Sequence, residues 1–203
     1  MHDHIPEPLK ALVEQLAHLP GLGPKSAMRA AMTLLKWPAS ETRRLGRAIH
    51  ELRDNLHLCS RCGGLAAHDP CPVCADAQRL KNELCLVAEW DSMVTLEQGG
   101  FYRGQYLILG GLISAGSNMS AEQLELERLT NRLAEGEVNE VILALGATAE
   151  AEATGGFVRS LLLRRFPAVR VTRLAQGMPL GAEVKFMDKE TLRQSMRYRQ
   201  ELQ

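Results

Sequence analysis

Four of the five cysteines in this 203-residue chain crowd into residues 59–74, as Cys59-Ser60-Arg61-Cys62 and, after eight intervening residues, Cys71-Pro72-Val73-Cys74. Zinc takes four soft ligands in a tetrahedron at about 2.3 Å, and a Cys-x2-Cys turn presents two thiolates to one ion. Gly63-Gly64 directly after the first pair lets the backbone fold tightly beneath such a metal. The competing arrangement is two disulfides. The opening run, Met-His-Asp-His-Ile-Pro-Glu-Pro, has no apolar export core, so a cytoplasmic, reducing location is expected. The spacing therefore predicts one structural Zn2+ per chain. With all four positions filled by protein no ligand site stays open, so the metal is a staple rather than a catalyst. His57 and His68 lie beside the module and are not needed as ligands, while Cys85 sits in an apolar run and reads as a core residue.

On either side of this module the hydrophobic period changes. Before it, apolar residues recur at helical spacing over 6–18, 24–36 and 41–57, with Pro24 suited to a first helical position and Ser40 to a cap. After it, short apolar runs at 84–88, 106–109, 141–145 and 169–171 alternate with helical patterns at 91–98, 120–135 and 150–165, and a last helix is expected at 189–201. Strands alternating with helices predict a mostly parallel sheet with helical crossovers. The expected fold class is α/β: a helical front (1–57), a zinc module (58–78), an α/β body (79–176) and a short helical tail (177–203). No apolar run approaches the roughly 20 residues of a membrane span.

The 24 basic and 24 acidic side chains cancel, which excludes a uniformly basic nucleic-acid coat. They are not evenly spread. Residues 86–156 carry 3 basic and 11 acidic groups, whereas residues 157–203 carry 10 basic and 4 acidic. Any nucleic-acid contact must be local. The best place for one is the run Leu19-Pro20-Gly21-Leu22-Gly23-Pro24-Lys25-Ser26-Ala27, which joins two helices and is similar to a helix-hairpin-helix motif. Gly21 and Gly23 would let the backbone approach a phosphate, the helix start supplies free N–H groups, and Lys25 and Arg29 project one turn apart. Contacts of this kind bind DNA without reading its sequence.

In the body, Glu150-Ala151-Glu152 follows the strand at 141–145, so it falls at the C-terminal edge of the sheet, where open α/β folds bind ligands. Two carboxylates there can share a Mg2+ ion. They are equally what the positive end of a helix macrodipole favours. Glu89 ends the first strand of the body, and a glutamate there with a later acidic pair is the arrangement of a Toprim domain.

Hairpin, four-cysteine module and Toprim-like body, in this order, resemble the RecR family of bacterial recombination mediators. The resemblance runs from about residue 7 to residue 199 and includes the tail run Ala175-Gln176-Gly177-Met178-Pro179-Leu180-Gly181. It implies a protein without chemistry of its own: a ring-like tetramer that encircles DNA in the nucleoid and, with RecO and in many bacteria RecF, helps load RecA onto gapped or single-stranded DNA. It also implies that Lys25 and Arg29 contact DNA, that Cys59, Cys62, Cys71 and Cys74 bind zinc, and that Glu89, Glu150 and Glu152 belong to a Toprim surface for partner docking. An ungapped alignment on Cys85 and Glu97 places Ala88 at the family's usual glutamate position, with Glu89 one residue late; Gln176 stands where many relatives carry His. A Mg2+-dependent Toprim enzyme acting on DNA phosphodiesters is the alternative function.

Overall fold

The computed structural model describes residues 4–114 and 120–201. The chain divides into two compact units, one ending at Asn55 and the other beginning at Leu56.

The first unit consists of three helices, α1 (Glu7–Ala17), α2 (Pro24–Leu34) and α3 (Ala39–Glu51). The α1 helix packs on α2, where Ala27 and Ala31 are fully buried and let the backbones close together. Between them Gly21 takes a left-handed φ of +79°, and Gly23 opens α2 ahead of Pro24. Two expectations are corrected in α3. The helix starts at Ala39 with Pro38 at the cap position and no side-chain cap, so Ser40 is not used; the fixed φ of Pro38 already sets the turn. It also ends at Glu51 rather than at 57, because His57 and Leu58 are taken into a short antiparallel strand pair; the Glu51 carbonyl accepts from both the backbone and the side-chain N–H of Asn55.

The second unit starts with the zinc module. A two-residue antiparallel ladder, β1 (His57–Leu58) with β2 (Leu65–Ala66), carries the first cysteine turn, and the single-turn α4 (Pro72–Ala75) carries the second. Both elements are too short to register in hydrophobic period.

The body holds a sheet of β3 (Glu83–Val87), β4 (Gln105–Ile108), β5 (Glu140–Ala144) and β6 (Arg170–Arg173) in the order β4-β3-β5-β6, with every neighbouring pair parallel. Parallel neighbours need crossovers. These are α5 (Trp90–Gly99), α6 (Leu126–Ala134) and α7 (Ala149–Arg165). Strand residues alternate faces: Leu84, Leu86 and Val141 pack with Leu129 and Leu133 of α6 and with Val158 and Leu162 of α7. Cys85, Val87, Tyr106 and Ile108 face Met93 of α5. Cys85 is a core residue as expected, and burial pushes its thiol up to about 12.

The single helix expected at 120–135 is replaced by a 3-10 turn (Ala121–Gln123) and then α6. Leu124 swings into the main core in extended conformation, and the Glu125 N–H bonds to the Leu109 carbonyl, so the helix can start only after them. The tail helix α8 (Lys189–Arg197) stops short of 201 because Tyr198 leaves helical geometry, and its hydroxyl accepts from Arg173.

Candidate metal centre and nucleic-acid interface

The cysteine turns bring four sulfurs together. All four Sγ atoms lie within 4.8 Å of one another. Cys62 Sγ and Cys71 Sγ stand 3.7 Å apart, against the roughly 3.8 Å edge of a tetrahedron with 2.3 Å zinc–sulfur bonds. Among the described residues this is the sole set of three or more His, Cys, Asp or Glu side chains whose ligand atoms converge, and neither His57 nor His68 joins it.

Backbone N–H groups of Gly64, Cys71 and Cys74 donate to the sulfurs of Cys62, Cys59 and Cys71 at 3.3, 3.3 and 3.4 Å. Such bonds favour thiolate over thiol. Hydrogen bonding from Cys74 and from Gly64 N–H brings the Cys62 thiol down to about 5, while burial raises Cys71 to about 11 and Cys74 is also raised. Gly63 follows Cys62 at φ +75°, and a Cβ on Gly64 would sit 3.2 Å from Cys62 Sγ and 3.3 Å from Ile108 and Trp90. Both glycines thus have a geometric reason. The residues present fit a structural zinc ion, which when bound supplies a cross-link between the two turns.

At the hairpin, Lys25 and Arg29 are exposed on one side of α2, and neither forms an ion pair among the described residues; Arg29 meets only the hydroxyl of Ser26, at 3.5 Å. Ser26 and Ala27 N–H close onto the Gly23 carbonyl at 2.9 Å. Gly23 itself has an ordinary φ of −69°, and a Cβ there would meet nothing within 4 Å.

The three Toprim glutamates are not drawn into one cluster. Ala88 continues the face of Leu84 and Leu86 and packs on the main core, whereas Glu89 lies past the end of β3, exposed, at the cap position of α5. Glu150 is exposed in the first turn of α7, its carboxyl held low by hydrogen bonds from its own N–H and from Thr148. Glu152 is engaged: Arg173 of β6 donates to both its oxygens, at 2.8 and 3.0 Å, and Gln176 donates at 3.0 Å. Arg173 also reaches the Tyr198 hydroxyl at 3.2 Å, so this carboxylate ties the tail to the sheet edge. Beside it opens a cavity of about 1270 Å³ lined by Gly155, Arg159, Thr172, Met178 and Arg197 among others. The Arg173 fork escaped sequence reading because its two partners lie on separate elements more than twenty residues away.

Four family models match consecutive stretches: the RecR helix-hairpin-helix at residues 9–53, the RecR four-cysteine zinc finger domain at 56–76, the Toprim domain at 82–175 and the RecR C-terminal region at 177–200. The recombination protein RecR of Nitratidesulfovibrio vulgaris is 69% identical over 198 residues, covering 98% of both chains. The chain belongs to the RecR family. The RecR proteins of Maridesulfovibrio salexigens and Moorella thermoacetica are 48% and 42% identical, each across 98% of this chain and 100% of the relative. The RecR zinc-finger match spans all four converging cysteines, and the RecR hairpin match spans Gly21, Gly23, Lys25 and Arg29. No helix of the described residues is long and apolar enough to cross a membrane.

Proposed function

We propose that this RecR-family chain is a mediator of recombinational repair that binds DNA without sequence preference and has no catalytic chemistry. In this reading Lys25, Arg29 and the backbone around Gly21 and Gly23 hold phosphate. The observation that carries it is the hairpin: two exposed cations without acidic partners among the described residues follow Gly23, which caps α2 and leaves open space at the helix start. Glycine is a favoured cap at a helix start, and without a Cβ it also leaves the N–H groups there open to a close approach from outside the chain. DNA backbone is suited to that approach.

Self-assembly into a ring-like tetramer belongs to the same reading. The α3 helix buries none of its side chains, although Leu45, Ile49 and Leu52 recur at helical spacing and are 38%, 66% and 56% exposed. An unpartnered apolar stripe of this kind suits a second copy. Linked sites raise avidity while each subunit binds as before, which fits a chain of zero net charge with local basic patches. RecO, and RecF where present, would dock on the Toprim surface of Glu89, Glu150 and Glu152 and assist RecA loading on gapped DNA in the cytoplasm. Division of the chain near residues 57, 78 and 176 also belongs to this reading, and the family matches change over close to those positions.

The test is a titration of labelled gapped duplex in Mg2+, read by anisotropy and then on a denaturing gel. Saturable binding with intact strands is expected. Strand scission or joining that disappears in Glu150→Gln or Glu152→Gln would replace the mediator with a Toprim enzyme.

A further inference from the structure

We infer that Arg128 of α6 is a positioning residue for the zinc module, fixing the first cysteine turn from outside the ligand set. The zinc-finger match ends at residue 76, more than fifty residues before it, so neither motif nor spacing points to Arg128.

Two observations converge on this side chain. One of its terminal nitrogens donates to two consecutive carbonyls of the ligand turn, Cys59 O at 3.1 Å and Ser60 O. Its Nε pairs with Glu125 at 3.2 Å, which anchors the guanidinium beside its own helix. The turn that it grips is also braced by Asp69, whose carboxylate accepts from Ser60 N–H at 2.8 Å. The turn is therefore held at Cys59 O, Ser60 O and Ser60 N, while Gly63 N–H closes it on Cys59 O at 2.9 Å.

The chemistry gives this grip a direction. Four thiolates around a divalent ion carry net negative charge, and Asp69 adds another nearby. A cation that is three-quarters buried and bonded to the turn stabilises that charge and holds Cys59 and Cys62 at the spacing the metal needs. The same region is tied at two further points, by Ile108 N–H on Cys62 O at 2.9 Å and by Arg61 on Glu135 at 3.2 Å. Neither of those places a positive charge on the Cys59–Ser60 carbonyls. Lysine would keep the charge but not the planar fork that reaches the turn and Glu125 together.

The test measures zinc release from the full chain to a colorimetric chelator, with the visible spectrum of the Co2+-loaded protein as an independent readout of the sulfur site. Outer-sphere partners typically change metal affinity by about 10- to 100-fold, so Arg128→Gln should release zinc at least about tenfold faster and broaden the Co2+ bands. Arg128→Lys should fall between it and the parent. Arg170→Gln is the control: it removes an arginine–glutamate pair of the same unit, with Glu140, that shares no residue with the cysteine turn or its anchors. Its release rate should stay within about twofold of the parent. Parent-like release from Arg128→Gln, or equal acceleration in Arg170→Gln, overturns the assignment. If Arg128→Gln does not fold, parent-like release and spectrum from Arg128→Lys overturn the role of the fork.

Discussion

Gly21 and Gly23 differ in one measurable respect: what the backbone asks of each. Gly21 sits at φ +79°, a region that costs other residues about 1–2 kcal/mol, while Gly23 has φ −69° and open space where a Cβ would go. Gly21→Ala should therefore lower stability by about 1 kcal/mol in urea unfolding. Gly23→Ala exchanges a favoured helix cap for a poor one, partly offset by a narrower unfolded ensemble, so it should lower stability by less than Gly21→Ala does, yet weaken DNA binding. DNA affinity left intact in Gly23→Ala would confine that glycine to capping α2. The same contrast explains what can be read along the chain at this scale. Cysteine spacing is local and states its chemistry; Glu152 is also visible, but its occupation by Arg173 and Gln176 is a tertiary fact.

Among the elements, the strands of the body lie within one or two residues of where short apolar runs put them; β3 and β4 are buried along nearly their whole length, and strands buried on both faces read as continuous apolar runs. Residues 120–135 show the opposite case. Their amphipathic pattern is compatible with one helix, and only the demand of the core for Leu124 breaks it. The tail helix α8 is begun by Asp188, whose carboxylate accepts from Thr191 N–H at 2.9 Å and from the Thr191 hydroxyl at 2.6 Å. Those bonds hold the Asp188 carboxyl below its ordinary value. A carboxyl depressed in the folded state stabilises fully above its unfolded value, near roughly pH 4, and loses that contribution as pH falls through the lower folded value. Asp188→Asn retains an N-cap without the titration, so protection of the α8 amides, taken relative to intrinsic exchange at each pH, should fall on acidification in the parent and fall less in the variant. An identical acid response in both would assign the loss to another carboxylate.

For the whole molecule, zero net charge conceals an acidic middle and a basic end, and the cations proposed to meet DNA lie in neither segment but in the first unit. The proposed function has binding depend on a few phosphate contacts repeated over subunits rather than on a broad positive field. The most direct check is the salt dependence of binding to gapped duplex for the parent and for Lys25→Ala/Arg29→Ala. The double variant should bind every sequence more weakly, with a log–log salt slope shallower by about one for each phosphate it no longer neutralises. An unchanged affinity and slope would remove the hairpin from the DNA interface and, with it, the basis for this chain as a DNA-binding mediator.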